Sequence, residues 1–165
     1  MKSRTMATCA MVSALCVVLM ILGGILELGM YAAPMFAGLC IIPVGRLFGL
    51  KYQTMVWITV SMLSFFLVPH VEQNLMFAAF FGWYPIARPK LEKLPKGVRM
   101  VCKLMIFNGT IIAIEALVMM LLVPESMGGV FLAVLLVLAN ITFVLYDFVI
   151  PKIEIILRSA LRGIK

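Results

Sequence analysis

Charge is scarce in this chain. Only 13% of its 165 residues are charged and 64% are hydrophobic, whereas an average soluble domain is about 25% charged. A soluble fold of this length leaves roughly a third of its unfolded surface exposed. It would have too few polar side chains to cover itself, so the composition excludes an ordinary soluble domain. Histidine is nearly absent. His70 stands alone, which excludes the His-Glu-x-x-His helix of a metalloprotease and leaves no second base for a catalytic triad. There is no Gly-x-Ser-x-Gly turn and no Gly-x-x-x-x-Gly-Lys-Ser/Thr loop, so neither an esterase-type nucleophile nor autonomous ATP hydrolysis is encoded. The four cysteines, Cys9, Cys16, Cys40 and Cys102, fit no zinc or redox spacing and read as small apolar fillers. Catalysis, a metal and a cofactor are therefore not expected.

What the chain has is six apolar runs, at about 5–26, 31–45, 52–68, 74–87, 100–123 and 130–150. A membrane span needs roughly 20 such residues, or fewer where neighbours shelter it. The first run follows Lys2 and Arg4 but is long enough to span, and reads as an uncleaved first helix. No linker, soluble domain or internal repeat is evident. The expected architecture is an all-α membrane protein, a single six-span bundle.

The basic residues orient that bundle. Lys2 and Arg4 precede the first run, and Arg46 and Lys51 flank the turn between the second and third. Arg88, Lys90, Lys93, Lys96, Arg99 and Lys103 cluster between the fourth and fifth, and Lys152, Arg158, Arg162 and Lys165 follow the sixth. In a six-span threading all fourteen fall on one face, and the positive-inside rule puts both termini in the cytoplasm. This placement points to acidic lipid headgroups rather than nucleic acid as the partner of the +7 charge. After Pro151, Ile153, Ile156, Leu157, Ala160, Leu161 and Ile164 recur at helical spacing. That pattern predicts an amphipathic helix on the inner leaflet or, alternatively, one that docks a cytoplasmic protein.

Few polar residues interrupt the runs. Glu115 lies inside the fifth, where an ionised carboxylate costs on the order of 3 kcal/mol; it must carry a proton or face water or a partner. Asn108, Ile112, Glu115 and Met119 define the inward face of that helix. Aligning the antiparallel fifth and sixth runs by depth pairs Lys103 with Asp147 and sets Asn108 beside Asn140 and Phe143. Glu115 then meets only apolar residues of the sixth run, so its partner comes from elsewhere, a bound ligand included. Glu27, Tyr31, Glu72, Gln73 and Asn74 sit at the same end. With Glu115 they outline an acidic mouth suited to a neutral or cationic small molecule, unless the glutamates are solvated loop charges. Trp57, Trp83 and Tyr84 read as interface anchors. Ala7, Ala10 and Ala14 put small residues on one face of the first helix, where a second helix can approach closely.

Taken with its length and six runs, the motif Ala10-x-x-x-Ala14, the segment FFGWYPIARPKLEKL followed by KLMIFN, and LYDF late in the sixth run give the chain a resemblance. It resembles the substrate-binding S component of an energy-coupling factor (ECF) transporter, a class of bacterial vitamin and micronutrient importers. The resemblance implies that the alanine face of the first span docks on a transmembrane coupling subunit driven by two cytoplasmic ATPase subunits. It also implies a ligand near the outer side, under the loops after spans one, three and five. It names no ligand. A rival reading is a membrane scaffold resembling the rod-shape-determining membrane subunit, with protein partners and no ligand pocket. A secondary carrier would call for the inverted repeat that is missing here.

Overall fold

The computed structural model describes residues 2–25, 32–121 and 129–162; at positions 2, 96, 119, 121, 129–135, 158 and 160–162 the backbone alone is described. Every element among them is helical. The reason lies in the apolar runs, because a helix satisfies each backbone N–H and C=O within the run itself. The order is α1 (Lys2–Ile25), α2 (Ala32–Phe48), α3 (Leu50–Leu67), α4 (Val71–Met76), a π-helical turn (Phe77–Phe81), α5 (Tyr84–Leu91), α6 (Lys96–Leu121) and α7 (Gly129–Arg162). Between α2 and α3 the chain reverses at Gly49, whose φ of +97° only glycine takes without strain. Three helical stretches are long and apolar enough to cross a membrane, Ser3–Ile25, Gly97–Val118 and Leu136–Leu157, and Ala32–Phe48 is a shorter apolar helix.

The fourth run is less regular than expected. It is split into α4, the π turn and α5, and proline chemistry explains part of this. Gly82 N–H bonds the Phe77 carbonyl (2.8 Å), the wide register of a π turn, so the Ala78 carbonyl loses its usual partner and accepts from Trp57 Nε1 (3.2 Å). Pro85 has no N–H to offer Phe81, and the Phe81 carbonyl accepts from Tyr146 Oη instead (2.9 Å). Trp83 Nε1 donates to the Ala79 carbonyl. Each loosened carbonyl thus becomes an attachment point for a side chain. Trp57 and Trp83 are half-buried by these bonds, and Tyr84 is fully buried, which overturns its reading as an interface anchor.

The expected break at Pro151 is absent, and α7 runs through it for 34 residues. Losing one N–H there is offset by packing. Ile153 and Leu157 lie against the core, and Glu154 reaches Arg46 at the end of α2 (2.5 Å). The tail is therefore an extension of the last helix tied to the bundle, not a separate leaflet helix, at least as far as Arg162. Ile156, on the expected apolar face, is exposed, as a lipid-facing residue would be.

α2 is the central helix. One side of it, through Ala37, Ile41 and Val44, packs with Cys16, Val17 and Met20 of α1 and Val56 and Val60 of α3. Its other side, through Leu39 and Ile42, meets the aromatic cluster of Phe80, Phe81, Tyr84, Phe107, Phe143 and Tyr146. Phe107 and Phe143 stack at 4.6 Å, and Phe80 and Tyr84 at 4.9 Å. Gly38 lets α2 approach the π turn, since a Cβ there would stand 2.5 Å from the Phe81 carbonyl oxygen and 2.6 Å from Tyr146 Oη. The outside is apolar, with Leu15, Phe36, Met62, Phe66, Met105 and Phe148 among its exposed residues. Large apolar side chains on the outside are the pattern expected of helices that face lipid.

Candidate functional site

The bundle has a basic end and an acidic end, each with polar groups inside it. At the acidic end α4 is fastened to the last turn of α1. A helix leaves its final carbonyls without internal partners. Here His70 Nε2 donates to the Gly24 carbonyl (3.0 Å), and Gln73 Nε2 donates to the Met20 carbonyl (2.8 Å). Asn74 Nδ2 donates to the Val68 carbonyl (3.0 Å), which closes the end of α3. Both amides are 1% exposed, yet Gln73 Oε1 and Asn74 Oδ1 find no donor among the described residues. A buried acceptor without a donor costs on the order of 1–3 kcal/mol.

Glu115 is 9% exposed, and the Glu72 carboxyl of α4 lies close to it. The charged group beside Glu115 thus comes from α4 rather than from the sixth run. Of the expected ligand residues, Glu72, Asn74 and Glu115 are gathered at one end of the bundle. Met119 lies one turn beyond Glu115 on α6. Glu27 and Tyr31 lie outside the described residues. None of the four cavities described among the helices is lined by Glu115.

The predicted docking residues stand differently. Ala7, Ala10 and Ala14 are all exposed on α1, whereas Ser13, Cys16, Val17 and Met20 turn inward. Beside them runs an apolar groove of about 340 Å³ between α1 and α3, lined by Ala10, Ala14, Tyr52, Met55 and Leu63 among others. A face of small side chains next to a groove is the relief that an incoming helix fits.

At the basic end, Asp147 collects three donors: Tyr84 Oη (2.7 Å), Arg88 Nε (3.0 Å) and Lys103 Nζ, which reaches both carboxylate oxygens at 2.8 Å. Arg88 also reaches Glu92 (2.5 Å). Lys103 is 2% exposed and Arg88 7%, so neither cation has water to solvate it. Depth alignment found Lys103 and Asp147. It missed Tyr84 and Arg88, and the signal for both was Pro85 and Pro89. These prolines interrupt the fourth run, and Arg88 beside them is buried. One turn further along α6, Asn108 and Asn140 exchange hydrogen bonds of 3.0 and 2.8 Å, as the alignment predicts. All four cysteines are free, and no group of three or more potential metal ligands occurs among the described residues.

The chain matches no family model, no curated protein and no solved structure.

Proposed function

We propose that this chain is the substrate-binding membrane subunit of an importer of the ECF type, with no catalytic activity of its own. In this reading six spans place both termini and all fourteen basic residues in the cytoplasm of a bacterial cell. The acidic end then faces outward and takes a small neutral or cationic molecule. The alanine face of α1 docks on a transmembrane coupling subunit that two cytoplasmic ATPase subunits drive. The observation that carries it is the exposed Ala7–Ala10–Ala14 face bordering the α1–α3 groove, because small side chains beside a groove let another helix approach closely. The carboxyl pair of Glu72 and Glu115 and the donorless oxygens of Gln73 and Asn74 support a donor-bearing ligand at the other end.

The test is co-purification from the native membrane. The wild-type chain should bring down a multi-span protein and two ATPases. Ala10→Trp or Ala14→Trp should lose them while keeping the wild-type unfolding temperature. Partners retained by both variants would reject the docking assignment. One observation favours the second reading, a scaffold: Glu115 is 9% exposed and lines none of the four cavities described among the helices. Co-purification of cell-wall synthesis proteins without an ATPase would establish that alternative.

A further inference from the structure

An apolar groove of about 340 Å³ runs between α3 and α5, lined by Leu50, Thr54 and Trp57 on one side and by Trp83, Ala87 and Lys90 on the other, among others. Leu50 also shares a neighbouring polar cavity with Arg88 and Glu92, so α3 begins where α5 ends, at the basic end of the bundle. Leu50 and Lys90 therefore stand at the mouth of the groove. Trp57 and Trp83 lie about 10 Å deeper along the helices. The groove takes no residue from α1 or α4. The inference thus needs only that the bundle lies in a bilayer, and does not rest on the import function.

The side-chain donors in its walls are already used, save one. Trp57 Nε1 donates to the Ala78 carbonyl (3.2 Å), and Trp83 Nε1 donates to the Ala79 carbonyl. Thr54 Oγ1 donates to the Leu50 carbonyl (3.0 Å). Gly82 leaves the space that Trp57 occupies, since a Cβ at 82 would collide with its ring. Both indoles are thus held by the π turn with their N–H groups spent, and they offer carbon to whatever fills the groove. Lys90 differs. It is exposed, and it belongs to none of the ion pairs among the described residues, Arg46–Glu154, Arg88–Glu92, Arg88–Asp147 and Lys103–Asp147. An apolar track with a free ammonium group at its mouth fits a molecule with an apolar body and an anionic end.

We propose that this groove holds an anionic phospholipid, with an acyl chain laid past Ala87 against the two indoles and the headgroup at Lys90. The bilayer supplies such a molecule at the depth where tryptophan rings and lysine side chains meet headgroups. Charge sets the preference between lipids. A zwitterionic lipid fills the apolar track equally well, but one lysine at the membrane surface favours an anionic headgroup about fivefold. A soluble anion would meet Lys90 and nothing else.

Trp57 and Trp83 are the only tryptophans in the chain, so its indole fluorescence reports on this groove alone. Bromine on an acyl chain quenches an indole that it touches. The full chain is reconstituted in phosphatidylcholine nanodiscs containing increasing fractions of brominated phosphatidylglycerol or, separately, brominated phosphatidylcholine. Half-maximal quenching should need about fivefold less of the brominated phosphatidylglycerol. Lys90→Gln should remove that preference. Lys152→Gln, which deletes the same charge from α7 outside the groove, should keep it. Equal quenching by the two lipids in the wild-type chain overturns the proposal. So does a preference that Lys90→Gln leaves intact, or that Lys152→Gln removes as fully, since diffuse basic charge then accounts for it. Quenching by neither lipid means that protein, a second copy of the chain included, covers the groove, and overturns the proposal as well.

Discussion

Replacing Asp147 by alanine should destabilise the chain more than any other single polar substitution in the bundle. The carboxylate neutralises Lys103, which bonds both its oxygens, and it shares Arg88 with Glu92. In Asp147→Ala, Lys103 keeps its charge in a site that is 2% exposed, and the Tyr84 hydroxyl loses its acceptor. Breaking a buried pair by removing one partner costs about 3–5 kcal/mol, because the surviving charge is left uncompensated. At about 2–4 °C per kcal/mol for a chain of this size, unfolding in detergent, followed by tryptophan fluorescence, should fall by on the order of 10 °C. The double variant Asp147→Ala/Lys103→Met separates charge from packing. It removes the stranded ammonium while keeping an unbranched side chain of similar length, and should recover a substantial part of the loss. A single variant within about 1 kcal/mol of wild type, or a double variant no better than the single, would refute the reasoning that Asp147 is there to neutralise buried cations.

Two further outcomes follow from the geometry. Asn108→Leu alone should cost about 0.6–1.7 kcal/mol, the range of interhelical hydrogen bonds in membranes. Asn108→Leu/Asn140→Leu should cost less than the sum of its singles, measured as a double-mutant cycle of unfolding temperatures. Gly38→Ala should destabilise more than Tyr146→Phe, because the added methyl displaces both the Tyr146 hydroxyl and the Phe81 carbonyl. Tyr146→Phe only strips a donor from that carbonyl, about 1 kcal/mol; the same thermal assay ranks the two.

These tests draw on parts of the structure that differ in how readily the sequence yields them. Contacts between α6 and α7 were legible because both are long, regular helices. Depth along one then predicts depth along the other, and Lys103–Asp147 and Asn108–Asn140 fall out of counting residues. The fourth run was not legible in the same way. Its π turn and two prolines change the rise per residue and the side-chain direction, so neither the burial of Tyr84 nor the arrival of Arg88 at Asp147 follows from periodicity. Threading brings Glu72 and Glu115 to the same end of the bundle, but how close α4 comes to α6 does not follow from it, since Glu72 sits on the short helix leading into that irregular segment. Pro151 misled in the opposite direction. A proline usually ends a helix, but the Arg46–Glu154 pair and the packing of Ile153 and Leu157 hold α7 together beyond it. Those stabilising contacts come from other helices and leave no local trace. That Ala7, Ala10 and Ala14 share one face of α1 follows from their spacing, whereas size alone left open whether that face packs inside the bundle, and its exposure comes from the structure.

The proposal that the acidic end receives a ligand from outside depends on which way the bundle faces. With the four native cysteines replaced, Pro69→Cys at the acidic end and Lys93→Cys at the basic end put exposed thiols on the two α3–α4 and α5–α6 connections. In intact cells a membrane-impermeant maleimide should label position 69 and leave position 93 unlabelled until the membrane is opened. Labelling of position 93 but not 69 in intact cells would invert the bundle, turn the acidic end to the cytoplasm and contradict the import reading.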